Sequence, residues 1–237
     1  LGFPLLLKST AGGGGIGMQR CDSAEELEAA FESVTALAKS NFTSSGVYLE
    51  KCIIKARHVE VQLFGDGNGE VITLGDRDCS LQRRNQKLVE ECPAPNLPEQ
   101  IRRSMRDRAR TLAASVNYAS AGTVEFLYDD DAQEYYFLEV NTRLQVEHGV
   151  TELVYQVDIV EWMIRLAFGD LPCSSLLEAE LKPSGAAVQV RLYAEDPYEN
   201  YKPTPGGIDA SFPKAVRIDG WVGPRSLVSH WFDPLLA

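Results

Sequence analysis

The sequence feature that most constrains the fold is a run of strict alternation that ends in a glycine-rich turn. Within residues 57–64, polar and apolar side chains alternate from His58 to Leu63, which is the pattern of a β-strand with one face in the core. Its apolar positions are Val59, Val61 and Leu63, and its polar positions are His58, Glu60 and Gln62. The segment Gly65-Asp-Gly-Asn-Gly69 follows directly and predicts a hairpin into a second strand over 70–76. The chain is therefore expected to build an antiparallel sheet.

The elements around this hairpin predict an α+β fold, because strands that pair as hairpins are interleaved with covering helices. Apolar residues recur with the helical period of about 3.6 residues in three ranges, which predicts helices over 23–39, 98–117 and 150–168. The second helix is expected to bury Ile101, Met105, Leu112, Ala113 and Val116. Further strands are predicted at 3–9, 46–52, 121–128, 134–140, 186–194, 207–218 and 221–232.

A segment rich in proline and serine, residues 171–184, separates the long first part of the chain from a strand-rich tail. We therefore predict one domain over residues 1–182 and a second over residues 185–237. The length of 237 residues and the apolar content of 44% are sufficient for a buried core.

The charge balance restricts the class of ligand. Acidic residues outnumber basic ones by 34 to 23, so the net charge is −11. Nucleic-acid binding needs clustered Lys and Arg that displace counterions, so no nucleic-acid partner is expected, whereas a small phosphorylated ligand needs only a few cations. No apolar run reaches the roughly 18 residues of a membrane span, so no membrane partner is expected. Five cysteines without CxxC spacing favour a reducing compartment, and we expect a cytoplasmic protein.

A run of glycines near the start of the chain predicts a phosphate-binding loop. Gly12 to Gly17 formally match the dinucleotide-binding fingerprint, but residues 18–21 intervene before the next helix, so the loop does not open a helix. A strand, glycine loop and strand is the preferred interpretation, with backbone amides around phosphate oxygens and Lys8 supplying charge. A flexible loop without a ligand stays open as the alternative.

The hairpin formed by 121–128 and 134–140 predicts a metal site. If its turn centres near Ala132, Glu125 and Glu139 lie opposite one another on the same face. Directly opposed like charges destabilise a strand pair, and a bound cation would reverse that effect. Asn141 adds an amide oxygen to the same face, and such oxygen ligands suit Mg²⁺ or Mn²⁺. An exposed face without a metal is the alternative.

Two further clusters carry candidate chemistry. In the run from Arg143 to His148, Arg143 and Gln145 could bind a small oxyanion and Glu147 could accept a proton, while His148 is interpreted as structural. Residues 77–87 are the densest basic cluster, and Lys87 could neutralise charge in phosphoryl transfer. A solvated turn is the alternative for that cluster.

Six motifs in order give the chain a specific resemblance. They are KSTAGGGGIGM (8–18), EK (50–51), ARHVEVQ (56–62), GDRDCSLQRRNQK (75–87), EVNTRLQVEH (139–148) and RLYAEDP (191–197). Together they resemble the biotin carboxylase component of biotin-dependent carboxylases, which has an ATP-grasp fold. The resemblance implies an ATP-grasp domain followed by a truncated, strand-rich C-terminal domain of that family.

The resemblance implies roles for the matching residues. The residues implied to contact ATP are Lys8, Gly14, Gly15, Glu50, Lys51, Ile53, His58, Gln82 and Asn85, with Lys87 at the phosphate end. The implied metal ligands are Glu125, Glu139 and Asn141. Bicarbonate is implied to bind Arg143, Gln145 and the Val146 backbone, with Glu147 as its base, while Arg191 is implied to stabilise the biotin enolate. The implied reaction uses ATP to convert bicarbonate into carboxyphosphate, whose CO₂ then carboxylates biotin.

Two departures indicate a branch of the family. Asn85 stands where most members have His, and Ile16 stands where many have Lys or Arg. The glycine run and the RRNQK segment are similar to the urea carboxylase branch, which includes urea amidolyase and forms allophanate from urea. The alternatives are the carboxylase part of an acyl-CoA or pyruvate carboxylase, a more distant ligase of the carbamoyl-phosphate type, and a non-catalytic nucleotide-binding fragment.

The resemblance further implies that more protein accompanies these 237 residues. The family's N-terminal domain and its Met-Lys-Met biotin carrier segment have no counterpart in this sequence. The expected partners are a biotin carboxyl carrier domain and a carboxyltransferase domain of the parent protein, which is expected to be a homo-oligomer. We expect the isolated chain to have little or no activity.

Overall fold

The structure is a computed structural model that describes residues 1–10, 17–41, 46–171 and 181–237. The helices within these residues are α1 (Ala24–Asn41), α2 (Glu99–Ser115), α3 (His148–Tyr155) and α4 (Ile159–Ala167). The strands of the two larger sheets are β1 (Leu5–Ser9), β2 (Met18–Cys21), β3 (Val47–Lys51), β4 (Ala56–Asp66), β5 (Val71–Arg83), β6 (Gln86–Cys92), β7 (Ala119–Asp129), β8 (Glu134–Asn141) and β9 (Ala187–Val190). Shorter strands follow at β10 (Glu195–Asp196), β11 (Lys202–Pro203), β12 (Gly206–Ile208) and β13 (Ser226–Val228).

The main sheet is antiparallel and has the spatial order β8-β7-β4-β5-β6-β9. The alternation in β4 has the predicted consequence: its apolar face shares a buried cluster with α2, in which Val61 and Met105 are fully buried. The opposite face is covered by α3 and α4, where Phe64, Val154 and Ile159 belong to a second buried cluster. The polar residues of β4 lie on this second face. The mixed α/β architecture therefore places a polar strand surface beneath two helices.

A smaller sheet holds the segment around the glycine run. Its strand order is β2-β1-β3, and α1 packs on it around Leu7, Ala30 and Val34. The antiparallel pairing of β1 with β2 confirms that strands flank the glycine loop on both sides. The loop residues Gly14 and Gly15 lie outside the described residues.

The basic cluster over 77–87 is a hairpin, so the alternative of a solvated turn is wrong for most of it. Strand β5 continues to Arg83, well beyond the predicted end at 76, and β6 was not predicted. Only Arg84 and Asn85 form the turn, both with positive φ. Two-residue hairpin turns need left-handed residues, and Asn adopts this conformation readily. Arg84 is held in the turn because its Nη2 donates to the Asn200 carbonyl oxygen at 3.0 Å.

Three other predictions of local structure need correction. The helix expected over 150–168 is two helices, because Gln156 is left-handed at the end of α3 and Asp158 caps α4 by accepting from the Glu161 N–H. In α2 the buried positions are Met105, Ala109 and Ala113, whereas Leu112 and Val116 are exposed. The strands expected over 207–218 and 221–232 are much shorter in the structure, where they correspond to β12 and β13.

None of the four described helices is long and apolar enough to cross a bilayer.

The domain boundary at residues 182 and 185 stays a prediction. Strand β9, the first element after it, pairs with β6 and so extends the main sheet. Through this pairing the segment that carries Arg191 lies next to the hairpin that carries Lys87, because the Arg191 N–H donates to the Leu88 carbonyl oxygen at 2.9 Å.

Candidate active site

Three carboxylates line up across neighbouring strands of the main sheet. Glu139 on β8 pairs directly with Glu125 on β7, as the sequence predicted, and Glu125 pairs on its other side with Glu60 on β4. Glu60 in turn pairs with Arg77 on β5. Directly opposed like charges repel, so this row requires cations close by.

Lys87 supplies a cation at the centre of the row. Its Nζ contacts oxygens of Glu60 at 2.6 Å, Glu125 at 2.8 Å and Glu147 at 2.7 Å, and the Gln145 side-chain oxygen at 3.1 Å. Although burial opposes the charged lysine, these carboxylates raise the pKa of Lys87 above its ordinary value. One ammonium group therefore joins β4, β7 and the loop before α3.

Within the row of carboxylates, Glu125 accepts more hydrogen bonds than Glu60 or Glu139. Its Oε1 accepts from Asn141 Nδ2 at 2.9 Å and Gln145 Nε2 at 3.3 Å, in addition to Lys87. Burial by itself raises the pKa of Glu125, but His58 and Lys87 outweigh this effect and lower the pKa to about 2. Glu125 is therefore ionised throughout the physiological range.

His58 and Gln82 form a pair at the edge of this cluster. Gln82 Nε2 lies 2.9 Å from His58 Nδ1 and also donates to the Cys79 carbonyl oxygen at 2.8 Å. His58 Nε2 lies 2.8 Å from Glu125 Oε2, which is ion-pair distance, so the pair is connected to the row of carboxylates.

Glu147 is held between two cations. Its Oε1 accepts from Lys87, and its Oε2 accepts from Arg191 Nη2 at 2.9 Å. Arg191 is fixed in turn because its Nε donates to Glu90 Oε1 at 2.7 Å. Burial raises the pKa of Glu90, with Arg191 opposing that shift and Glu147 adding to it. The structure thus brings together the predicted base, Lys87 and Arg191 from three separate motifs.

The predicted metal ligands fit a divalent cation. Glu125 and Glu139 project from paired positions, and Asn141 Nδ2 lies 2.9 Å from Glu125 Oε1 and 3.4 Å from Glu139 Oε1. The two carboxylates, one of them on the exposed residue Glu139, and the side-chain oxygen of Asn141 are the kinds of donor that Mg²⁺ and Mn²⁺ prefer, and the nitrogen of the Asn141 amide faces the carboxylates here. The donor set fits a divalent cation, and the metal site stays a prediction.

The other predicted residues lie around this cluster and not within it. Lys8 Nζ is paired with Glu50 Oε2 at 2.8 Å, across the paired strands β1 and β3. Lys51 and Ile53 line a cavity of about 610 Å³ beside the segment that joins β3 to β4. The three remaining residues are exposed: Asn85 in the turn, Arg143, whose Nη1 donates to the Leu144 carbonyl oxygen at 3.2 Å, and Val146.

Buried polar residues that received no role from the sequence also adjoin the site. Among them, Glu60, Gln62, Arg77 and Glu90 have no exposed surface. Glu60 and Gln62 were placed on the correct strand face, and that placement was the signal that they share the site with His58. The burial of Arg77 and Glu90 at the site was not predicted, because β5 was expected to end at 76 and β6 was not expected at all.

Comparisons with known proteins identify the family of the chain. Residues 1–172 match the family model described as "Carbamoyl-phosphate synthase L chain, ATP binding domain". Urea amidolyase of Saccharomyces cerevisiae is 53% identical over 238 residues, which cover 100% of this chain but 13% of that protein. The chain thus spans only a small part of this relative.

Two solved structures are also similar. The biotin carboxylase domain of Hydrogenobacter thermophilus 2-oxoglutarate carboxylase, a dimer in complex with MgADP, ADP and bicarbonate, superposes with a TM-score of 0.91 and 40% identity over 99% of this chain and 52% of that one. Kluyveromyces lactis urea carboxylase gives a TM-score of 0.73 and 51% identity over 76% of this chain and 16% of that one. With its matching family model and these similar solved structures, the chain belongs to the ATP-grasp family of the carbamoyl-phosphate synthase L chain ATP-binding domain, which includes the biotin carboxylases.

Proposed function

We propose that this chain is the part of a urea carboxylase that uses ATP and bicarbonate to carboxylate biotin. The observation that carries the proposal is the position of Glu147, whose two oxygens contact Lys87 and Arg191 beside the paired carboxylates Glu125 and Glu139. A base, two cations and a candidate metal site within one buried cluster are the parts that phosphoryl transfer to a small oxyanion requires.

Charge neutralisation at the phosphates is assigned to Lys87 and to the metal ligands. Glu125, Glu139 and Asn141 would hold Mg²⁺ or Mn²⁺, which when bound neutralises phosphate oxygens of ATP. Lys8, Glu50, Lys51 and Ile53, together with Gly14 and Gly15, are proposed to contact the nucleotide, with His58, Gln82 and Asn85 at its ribose and phosphate end. This assignment rests on the matching motifs and on the positions of β1 and β3.

Glu147 is proposed to take the proton from the bicarbonate hydroxyl. The resulting oxygen attacks the γ-phosphorus of ATP, the bond from phosphorus to the bridging oxygen breaks, and ADP leaves with the electron pair. Arg143, Gln145 and the Val146 backbone are proposed to hold bicarbonate during this step. Each oxygen of Glu147 accepts one hydrogen bond in the structure, and a carboxylate oxygen has a second lone pair for the incoming proton.

Arg191 is proposed to orient the carboxyl acceptor. When bound, biotin would supply the nitrogen that accepts CO₂, the proton of that nitrogen would pass to the phosphate released from carboxyphosphate, and Arg191 would stabilise the negative oxygen of the deprotonated ureido group. In the structure Arg191 already contacts Glu147, so the base and this cation face the same point.

The proposal extends to the surrounding protein. Because urea amidolyase and urea carboxylase match at 53% and 51% identity but are far longer, we propose that the chain is one segment of a cytoplasmic, homo-oligomeric polypeptide. That polypeptide would also contain the biotin carboxyl carrier and carboxyltransferase domains. Within this chain, the residues after the proposed boundary at 185 would begin the C-terminal domain of the biotin carboxylase.

The acceptor is tested in the full polypeptide that carries this chain. ADP release is measured with ATP, Mg²⁺ and bicarbonate while urea, acetyl-CoA, propionyl-CoA or pyruvate is added in turn. We expect stimulation by urea alone. Stimulation by one of the other acceptors would place the chain in another branch of the biotin-dependent carboxylases. ADP release at the same rate with and without bicarbonate would contradict the proposed carboxylation of biotin.

The metal assignment makes a separate prediction. Replacing Glu139 by Gln is expected to weaken Mn²⁺ binding about tenfold or more, because one of two anionic ligands loses its charge. Mn²⁺ affinity is measured by titration followed by electron paramagnetic resonance. Glu134→Gln, at the other end of the same strand and also exposed, serves as the control and should keep the parent affinity. Equal affinities for both variants would place the metal elsewhere.

A further inference from the structure

Arg77 lies beneath the candidate active site and touches none of the residues assigned to a substrate or metal. It is on β5, has no exposed surface, and faces the side of the sheet covered by α3. Its guanidinium donates to Glu60 Oε1 at 2.6 Å, Gln62 Oε1 at 2.7 Å and Thr151 Oγ1 at 2.8 Å, with Thr123 Oγ1 at 3.4 Å. The planar fork of N–H donors therefore has partners on three elements, which fixes its orientation.

The Glu60 carboxylate connects Arg77 to Lys87. One oxygen accepts from Arg77 and the other accepts from the Lys87 ammonium at 2.6 Å. A fully buried carboxylate is stable only when it is paired, and here each oxygen has its own cation. The position of the Lys87 ammonium therefore depends on how Arg77 orients Glu60.

Thr151 connects Arg77 to the other half of the site. It lies in the second turn of α3 and is fully buried. Glu147 is the residue at the N-cap position of that helix. Because Thr151 lies four positions after Glu147, one turn along the same helix, the hydrogen bond from Arg77 to Thr151 restrains the end of α3 at which Glu147 lies. Arg77 therefore donates hydrogen bonds to Glu60, which contacts Lys87, and to Thr151, which lies on the helix that follows Glu147.

We propose that Arg77 is a positioning residue that sets the distance between Lys87 and Glu147, through Glu60 on one side and Thr151 on the other. The inference rests on the proposed function, in which this pair neutralises phosphate charge and deprotonates bicarbonate. A displacement of about 1 Å in such a pair costs up to about a hundredfold in rate, even though Arg77 contacts no reacting atom.

The test uses Thr151 because removing the buried charge of Arg77 risks misfolding. Thr151→Val keeps the side-chain shape and removes the acceptor for Arg77, whereas Thr151→Ser keeps the hydroxyl. Kinetics are measured in the full polypeptide with ATP and bicarbonate varied separately. Thr151→Val is expected to raise KM for bicarbonate and lower kcat by about tenfold each, with an unchanged KM for ATP, and Thr151→Ser is expected to restore both.

A matched control separates positioning from general damage. Thr111→Val removes a hydroxyl of α2 that donates only to its own helix, at the Asp107 carbonyl oxygen, and should leave every constant unchanged. A lower fraction of folded enzyme would reduce kcat without changing KM for bicarbonate, so a change in that KM reports on the site. Arg77→Lys, which keeps the charge but not the fork, is expected to repeat the effect of Thr151→Val.

Hydrogen exchange of residues 145–151 makes the outcome independent of turnover. We expect faster exchange of this segment in Thr151→Val than in the parent or in Thr111→Val. If exchange changes as expected while the parent shows no bicarbonate-dependent ATP cleavage, the proposed function fails and the coupling of Arg77 to α3 stands. If the parent is active and Thr151→Val keeps its KM for bicarbonate and its kcat, the positioning role is overturned.

Discussion

Replacing Glu147 by Gln is expected to lower bicarbonate-dependent ATP cleavage by about two to four orders of magnitude, which is the usual contribution of a general base. The amide of the variant retains the side-chain shape but cannot accept the bicarbonate proton. Glu147 contacts Lys87 and Arg191 and none of the residues proposed to bind the nucleotide base, so ATP affinity should change little. Cleavage is measured in the full polypeptide, and ATP affinity by calorimetry.

The control for this substitution is Glu161→Gln. Glu161 lies in the first turn of α4 with an exposed side chain, so its neutralisation should leave both measurements at the parent values. Loss of ATP binding together with turnover in Glu147→Gln would indicate a structural role for Glu147. Retention of turnover would remove it as the base.

Replacing Lys87 by Met is expected to have the second large effect, on stability as well as on turnover. The substitution leaves Glu60, Glu125 and Glu147 close together without the ammonium that contacts all three. Removing one partner of a buried ion pair typically costs about 3–5 kcal/mol, and we expect a loss of that size in the free energy of unfolding. Denaturation by urea at neutral pH measures it.

The pH dependence of this effect follows from the raised pKa of Lys87. A group whose pKa is higher in the folded than in the unfolded state stabilises the fold fully at pH values below its unfolded pKa, which is 10.5 for Lys87. This contribution is lost as the pH rises from that value through the pKa of the folded state. The difference between parent and Lys87→Met should therefore persist at neutral pH. Lys55→Met is the control, because Lys55 forms an ion pair with Asp131 that is mostly exposed and should contribute less than about 1 kcal/mol. Equal losses for both variants would contradict the central role of Lys87.

The parts of the fold that were predictable are those in which one local pattern decides the outcome. The alternation of β4 fixed which residues face the site, because a strand with one apolar face has only one stable orientation. The placement of Glu125 opposite Glu139 followed from the length of the hairpin and its turn. Local spacing was sufficient in both cases.

The parts that were not predictable depend on contacts between distant segments. Glu90 has the character of a surface residue in the sequence, yet it is buried beside Arg191, which lies 101 positions further along, directly after the adjoining strand β9. Arg77 likewise is stable in the core only because Glu60, Gln62 and Thr151 meet around it. Charged residues seldom enter a core unless paired, and one sequence does not show the pairing.

The fate of a bicarbonate oxygen tests the central claim most directly. The full polypeptide is incubated with ATP, Mg²⁺, the carboxyl acceptor and bicarbonate labelled with oxygen-18, and the released phosphate is analysed by mass spectrometry. If an oxygen of bicarbonate attacks the γ-phosphorus with Glu147 as the base, the phosphate must carry one labelled oxygen, and Glu147→Gln must lose this transfer. Phosphate free of label, released at the same rate as ADP, would show that water attacks instead and would contradict the assignment of this site.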